Sequence, residues 1–169
     1  FNPRVNGTVE ALLVTPEDND TGRGKLLAWL NRDGTFNRAF SLTSTSQLSG
    51  QINAVAVQAD GRIVIGGSFT DKGAGGGSLL ARYFPNGMVD TSFLPSPDGA
   101  VSAILIQPDG KILVGGAFLS LGGVQRRYVA RLNPDGSIDS GFNPKANGQV
   151  NAFALPGGTV LITRGLYDS

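Results

Sequence analysis

The sequence predicts an all-β chain of the β-propeller type, built from four-stranded antiparallel blades stacked face to face. Three observations carry this reading. Residues 101–142 repeat the order of features in residues 52–93: an apolar run, an Asp-Gly turn, Gly-Gly-x-Phe, a loop, Ala-Arg, a second glycine turn, then Asp-x-x-Phe. Short apolar runs are separated by tight-turn residues throughout, and no long helical period appears. The run Val101–Ile106 is apolar on both of its faces, with Val101, Ala103 and Leu105 on one and Ile104 and Ile106 on the other. A strand of that kind is covered on both sides, which small sheets packed around an axis achieve.

The phenylalanine closing each repeat, at Phe1, Phe40, Phe93 and Phe142, acts as a ruler and divides the 169 residues into intervals of 39, 53 and 49. The chain therefore reads as one repeat domain, 1–169, with a degenerate repeat over about 1–40, complete repeats over 41–93 and 94–142, and a partial repeat over 143–169. First strands are expected at Val9–Val14, Ile52–Val57, Val101–Ile106 and Val150–Leu155, with alanine always third (Ala11, Ala54, Ala103, Ala152). As the most apolar strand it is expected to lie innermost, where small side chains suit the limited space. Second strands are expected at Arg62–Gly66, Lys111–Gly115 and Thr159–Thr163, and third strands at Leu26–Asn31, Leu80–Phe84 and Tyr128–Asn133. Short fourth strands follow at Thr35–Phe40, Met88–Phe93 and Ser137–Phe142.

The turns are chemically explicit. Pro108-Asp109-Gly110 and Pro134-Asp135-Gly136 place proline where φ is fixed and glycine where φ is positive; Asp33-Gly34, Asp60-Gly61 and Asn86-Gly87 do so without the proline. The pairs Gly66-Gly67 and Gly115-Gly116 predict a bulge or a close backbone approach at the end of the second strand. Two places break the pattern. The first repeat passes from Pro16 to Leu26 without a Gly-Gly-x-Phe strand, and the fourth reaches Ser169 after two strands. Propellers usually have four to eight blades, so the ring is expected to be incomplete unless the chain oligomerises or belongs to a longer one. A bare terminal blade showing Val150, Phe153, Leu155 and Ile162 would leave roughly 2 kcal/mol per large side chain ungained. Other blades, or copies of the same chain, are the expected cover. The start at Phe1 rather than Met points to a processed product or an excerpt.

Composition excludes more than it assigns. The chain has 14 basic and 13 acidic residues with no long run of either, which disfavours nucleic acid as a partner. No apolar run approaches the roughly 20 residues of a membrane span. Cysteine and histidine are both lacking, which removes disulfides, thiolate chemistry and the commonest general base and metal ligand. Carboxylate, lysine or tyrosine chemistry remains, but no carboxylate pair stands apart from the turn residues. The chain is therefore read as non-enzymatic, without a cofactor or a metal.

Individual candidates have structural readings beside functional ones. Gly73–Ser78 lacks the Gly-Lys-Ser/Thr and following helix of a phosphate loop and reads as a flexible loop. Glu17, Asp18 and Asp20 with Asn19 offer oxygens to a hard cation, but a solvated loop replacing the missing strand fits them better. Asp33, Asp60, Asp109 and Asp135 read as turn residues, and Asp90 and Asp139 as corner ties. Arg82 and Arg131, with Trp29 at the first repeat's equivalent place, are expected on a partly open face with packed stems, pairing with aspartates of neighbouring repeats. Arg126-Arg127-Tyr128 and Trp29 offer aromatic and bidentate contacts for a glycan or peptide, with Trp29, Arg127 and Tyr128 as the candidate binding residues.

The segments QPDGKILVGGAF (107–118) and RRYVARLNPDGSIDSGFNP (126–144) resemble the delta-60 repeat. The resemblance covers nearly the whole chain. It is close in the third repeat and looser in the second, where Ala59 replaces the turn proline and Tyr83-Phe84 replaces Leu-Asn. It implies a β-propeller fold and an extracellular or cell-surface setting in large bacterial proteins, and it implies no reaction. The expected role is a scaffold or interaction module that engages protein or glycan through its loops. The rival readings are a lectin, a component of a fibre or phage tail, and a fragment of a propeller hydrolase or lyase.

Overall fold

The computed structural model describes residues 11–14, 27–30, 48–71, 79–154 and 161–164, with side chains over 49–70 and 79–153. The described residues hold twelve strands and no helix: β1 (Ala11–Val14), β2 (Leu27–Leu30), β3 (Leu48–Val57), β4 (Ile63–Asp71), β5 (Leu80–Tyr83), β6 (Val101–Ile106), β7 (Ile112–Gly116), β8 (Ser120–Leu121), β9 (Val124–Gln125), β10 (Val129–Leu132), β11 (Val150–Ala154) and β12 (Leu161–Arg164). All pairings are antiparallel. The sheets β3-β4-β5 and β6-β7-β10 are the second and third repeats. β11-β12 opens the fourth, and β1-β2 lies in the first. The fourth strand of each complete repeat is reduced to one bridge, Tyr83 with Val89 and Leu132 with Ile138. Among the described residues the sheets do not close into a ring.

Each hairpin is set by its turn. Gly61, Gly87, Gly110 and Gly136 all have φ between 81° and 99°, a region costly for residues with a Cβ. Their N–H groups donate back to the carbonyls of Gln58, Phe84, Gln107 and Asn133. The residue before each glycine locks the turn: Oδ1 of Asp60, Asn86, Asp109 and Asp135 accepts the N–H of Arg62, Met88, Lys111 and Ser137 at 2.9–3.1 Å. The recurring aspartates are accordingly turn residues wherever they are described; Asp33 lies outside the described residues.

The Gly-Gly pair has two separate jobs. A Cβ on Gly67 would strike the carbonyl oxygen of Gln51 in β3, and one on Gly116 that of Ala100 just before β6. That is where the first strand bulges, between Ile52 and Ala54 in β3 and between Val101 and Ala103 in β6. The same bulge falls between Val150 and Ala152 in β11, where Arg164 stands opposite Val150. The other glycine of each pair faces the next repeat. A Cβ on Gly66 would meet Val101, and one on Gly115 would lie 2.7 Å from Val150 Cγ1 and 2.8 Å from the Phe153 ring. The backbone of one sheet thus rests against the first strand of its successor. Val150 is buried by this contact and does not belong to an exposed terminal face; Leu155 and the Ile162 side chain lie outside the described residues.

In the third repeat the central strand is more deeply buried than the first; in the second repeat β5 is wholly buried and β3 is again the least covered strand. All five residues of β7 are buried, whereas β6 is only partly so. β7 has a strand on each edge and a sheet against each face, and β6 is an edge strand. One core joins Val64, Leu80 and Phe93 of the second repeat to Val101, Ile112, Val114, Phe118 and Leu132 of the third. A second gathers Ile52, Ile63, Ile65, Phe69, Ala81 and Tyr83 on the opposite face of β4.

The first repeat departs from the expected order. Leu26–Asn31 has the sequence of a third strand, yet β2 pairs directly with β1, with Leu12 opposite Trp29. Without an intervening Gly-Gly-x-Phe strand, the next apolar run takes the hydrogen bonds of the first strand's free edge. Trp29 is therefore not placed as Arg82 and Arg131 are.

Gly116→Ala is expected to lower the free energy of unfolding by about 2 kcal/mol, because its new methyl meets backbone. Gly115→Ala is expected to cost less, since the side chains of Val150 and Phe153 can shift. Urea titration of both variants checks the order.

Candidate functional site

The charged residues inside the sheets form a repeated stack. In the second repeat, Arg82 in β5 donates through Nε to Asp90 Oδ2 at 2.8 Å, and its guanidinium lies 4.4 Å from the centre of the Phe93 ring. In the third repeat, Arg131 in β10 does the same to Asp139 at 2.8 Å and lies 4.5 Å from Phe142. Asp90 and Asp139 also cap the corner after the short fourth strand: Oδ1 accepts the N–H of Ser92 and Gly141, respectively. The Ala-Arg and Asp-x-x-Phe signatures are two halves of one stack. The pairing runs within a repeat, not between neighbouring repeats as the sequence suggests. The hairpin brings the two residues together across an eight-residue separation.

Electrostatics follow this geometry. Burial pushes the Asp90 carboxyl up, but the hydroxyl and N–H of Ser92 and the Arg82 guanidinium outweigh it and hold the group below the ordinary carboxylate value. Asp139 is lowered to about 2, first by the hydrogen bond from Lys111 Nζ at 2.9 Å, against desolvation, with Arg131 and the Gly141 N–H adding to the effect. Arg62 takes the Lys111 place in the second repeat; its Nε stands 3.8 Å from Asp90 Oδ2 and its guanidinium 5.3 Å from the Phe84 ring. Among the described residues no cluster of three or more acidic groups is arranged to hold a metal. Glu17, Asp18 and Asp20, and the loop Gly73–Ser78, lie outside the described residues.

The remaining distinctive surface is the connection between β7 and β10. Its two-residue strands β8 and β9 form a hairpin turned by Gly122 and Gly123, both with positive φ. Asp98 anchors it: Oδ1 accepts the N–H of Leu119 at 2.7 Å and of Ser120 at 2.9 Å, while Oδ2 accepts the Ser120 hydroxyl. Those two N–H groups are the leading causes of the lowered Asp98 carboxyl. Leu119 and Val124 are exposed large apolar residues on this hairpin.

Arg126, Arg127 and Tyr128 lead out of the hairpin and split three ways. Arg126 points inward at 9% exposure, with Nη1 donating to the Gln125 carbonyl and Nη2 to the Ser140 carbonyl; its Nε is buried without a partner. Arg127 is exposed. Tyr128 is half-buried at φ +66°, and across it the Val129 N–H donates to the Arg127 carbonyl at 2.7 Å. A three-residue turn with positive φ at its centre is rare and strained. It turns Arg127 outward immediately before β10. Neighbouring in sequence, Arg127 and Tyr128 thus share one loop end. Trp29 stands in β2, and its side chain lies outside the described residues. Arg126, a candidate contact alongside Arg127 and Tyr128 in the sequence, instead points inward, and the sequence does not single out Asp98, which resembles any loop aspartate until its three hydrogen bonds are seen.

The antiparallel meanders, their covered faces and the open ring define a propeller-type repeat protein. Two segments, 58–93 and 107–142, match a family described as a domain of unknown function (DUF5122), beta-propeller. They coincide with the second through fourth strand positions of the two complete repeats. No curated protein and no solved structure matches the chain.

Arg82→Ala is expected to cost about 3 kcal/mol or more, because it strands a buried Asp90 carboxylate. Arg131→Ala, in a more open stack, is expected to cost clearly less; chemical unfolding compares them. For Asp139 the folded value lies below the unfolded one, so its contribution is present above about pH 4 and is lost as pH falls through about 2. Stability is thus expected to drop over that window. In Lys111→Met, NMR titration is expected to show the Asp139 midpoint moved up, and the acid loss should shrink.

Proposed function

We propose that the chain is a non-catalytic interaction module of the delta-60 type, a propeller segment of an extracellular or cell-surface bacterial protein that engages protein or glycan through its loops. The supporting observation is how the polar residues are used. The repeated Asp and Arg residues of the described sheets are committed to turns, corners and Arg–Asp–Phe stacks. The β8–β9 loop instead presents exposed Leu119, Val124 and Arg127 beside the strained Tyr128. Binding residues concentrate on loops held by a rigid scaffold, and the Asp98 anchor makes this loop such a feature. The resemblance to the delta-60 repeat favours the surface setting.

Glycan and peptide arrays test the reading. Ligands found with the intact chain are expected to bind about tenfold more weakly to Arg127→Ala or Tyr128→Ala, with circular dichroism and melting temperature retained. Trp29→Ala, run alongside, tests whether β2 contributes. Undiminished binding by both loop variants would remove this loop from the function. Turnover of a glycan by the chain, abolished in Asp139→Asn, would replace the module with an enzyme.

A further inference from the structure

The two complete repeats are joined by a socket. In the second repeat, Arg82 Nη1 donates to the Pro134 carbonyl and Nη2 to the Asp135 carbonyl at 3.2 Å. Gln58 Nε2 donates to the same Pro134 carbonyl at 3.4 Å, and Gln58 Oε1 accepts from Arg82 Nη1 at 3.4 Å. The Phe93 ring lies against Gly136, where any Cβ would collide with it. The turn between the third and fourth strands of one repeat is therefore held by Gln58, Arg82 and Phe93 of the repeat before it.

Each wall of that socket, and the Asp90 that pairs with Arg82, recurs 49 residues later as Gln107, Arg131, Phe142 and Asp139. The internal geometry is the same, with Nε to carboxylate at 2.8 Å in both repeats. The occupancy differs. Arg82 and Asp90 have side chains 2% and 3% exposed, whereas Arg131 and Asp139 are 24% and 13% exposed. Arg131 Nη1 and Nη2 meet no acceptor among the described residues, and Gln107 Oε1 is buried with no hydrogen-bond partner. The direction is also defined. Arg131 stands opposite Leu113 in register, on the same side of β7 as Gly115, which faces Val150 and Phe153 of β11. The second socket opens toward the two-stranded sheet of the fourth repeat.

We propose that this second socket receives the third-to-fourth-strand turn of a further repeat of the same kind, an Asn-Pro-Asp-Gly hairpin or a near variant. The chemistry selects that occupant. Nη1 and Nη2 require acceptors, and turn carbonyls supply them without charge. A free anion would instead meet the Asp139 carboxylate beside Arg131. The Phe142 ring admits a residue without a Cβ, as Phe93 admits Gly136. The filled socket in the same molecule shows such a turn in place. This inference rests on the repeat architecture and is independent of what the β8–β9 loop binds.

The test adds to the isotopically labelled chain a synthetic peptide with the chain's own 129–142 sequence, cyclised so that the hairpin is preformed. Expected are saturable NMR shifts at the Gln107 side-chain amide and the Arg131 Nε–H. Affinity is expected to fall about tenfold in Arg131→Lys, which loses the paired guanidinium donors, and likewise for a peptide carrying Gly136→Val. Retained backbone amide shifts across β7 and β10 in Arg131→Lys show that the sheet still folds. Three results would overturn the proposal: equal binding of the valine peptide, no shift at either group with millimolar peptide, or the same shifts with inorganic phosphate alone. Arg131-dependent self-association without a peptide response would also overturn it, assigning the face to a second copy.

Discussion

Close approach of neighbouring sheets is the constraint on which the architecture rests. A small sheet of short strands cannot bury both of its apolar faces by itself, so each repeat depends on the next. Gly66 and Gly115 permit that dependence, because a side chain at either position would hold the following first strand away. Val64, Leu80 and Phe93 then close over Val101, Ile112 and Val114 to form one core shared between two repeats. The second glycine of each pair absorbs the bulge that the first strand needs in order to lie there. A four-letter signature, Gly-Gly-x-Phe, thus contains a docking surface, a bulge partner and, at Phe69 or Phe118, a buried anchor.

Polar chemistry serves the same end. Buried arginine and aspartate are costly unless paired and hydrogen-bonded, and Arg82 meets this demand on every side: carboxylate, aromatic ring, Gln58 and two carbonyls of the next repeat. The stack fastens the short fourth strand, which has only one bridge to the sheet, and hands its spare donors to the neighbouring turn. With the periodic charges used in this way, distinctive chemistry passes to the parts that are not periodic. The β8–β9 loop, equal in length to its counterpart in the second repeat but different in sequence, is one such part. Its aspartate anchor and positive-φ tyrosine are features of the third repeat.

Much of this was legible in advance. The first-strand bounds Val101–Ile106 coincide with β6, the turn glycines have the positive φ that their dipeptides imply, and the Gly-Gly pairs mark both a bulge and a close approach. Local chemistry decides these features, so local sequence reports them. Three other features depended on distant partners. Arg82 reads as a half-open strand residue but is enclosed by a turn 52 residues away. Leu27–Leu30 has the sequence of a third strand but pairs as the first strand's direct neighbour. The candidate residues Arg127 and Tyr128 fall together, but the inward turn of Arg126 depends on the carbonyl of Ser140.

From the sequence alone came the strand period, the turn chemistry and the identity of the residues recurring in each repeat, because those are properties of short stretches of backbone and of side chains near one another in the chain. Tertiary structure decided which sheet each face meets, whether an arginine pairs within a repeat or across repeats, and which of two chemically alike sockets is filled by the described residues. Those outcomes turn on the relative placement of whole sheets. Arg82 and Arg131 have the same local sequence role and the same aspartate partner, and they differ in what the adjoining repeat brings against them.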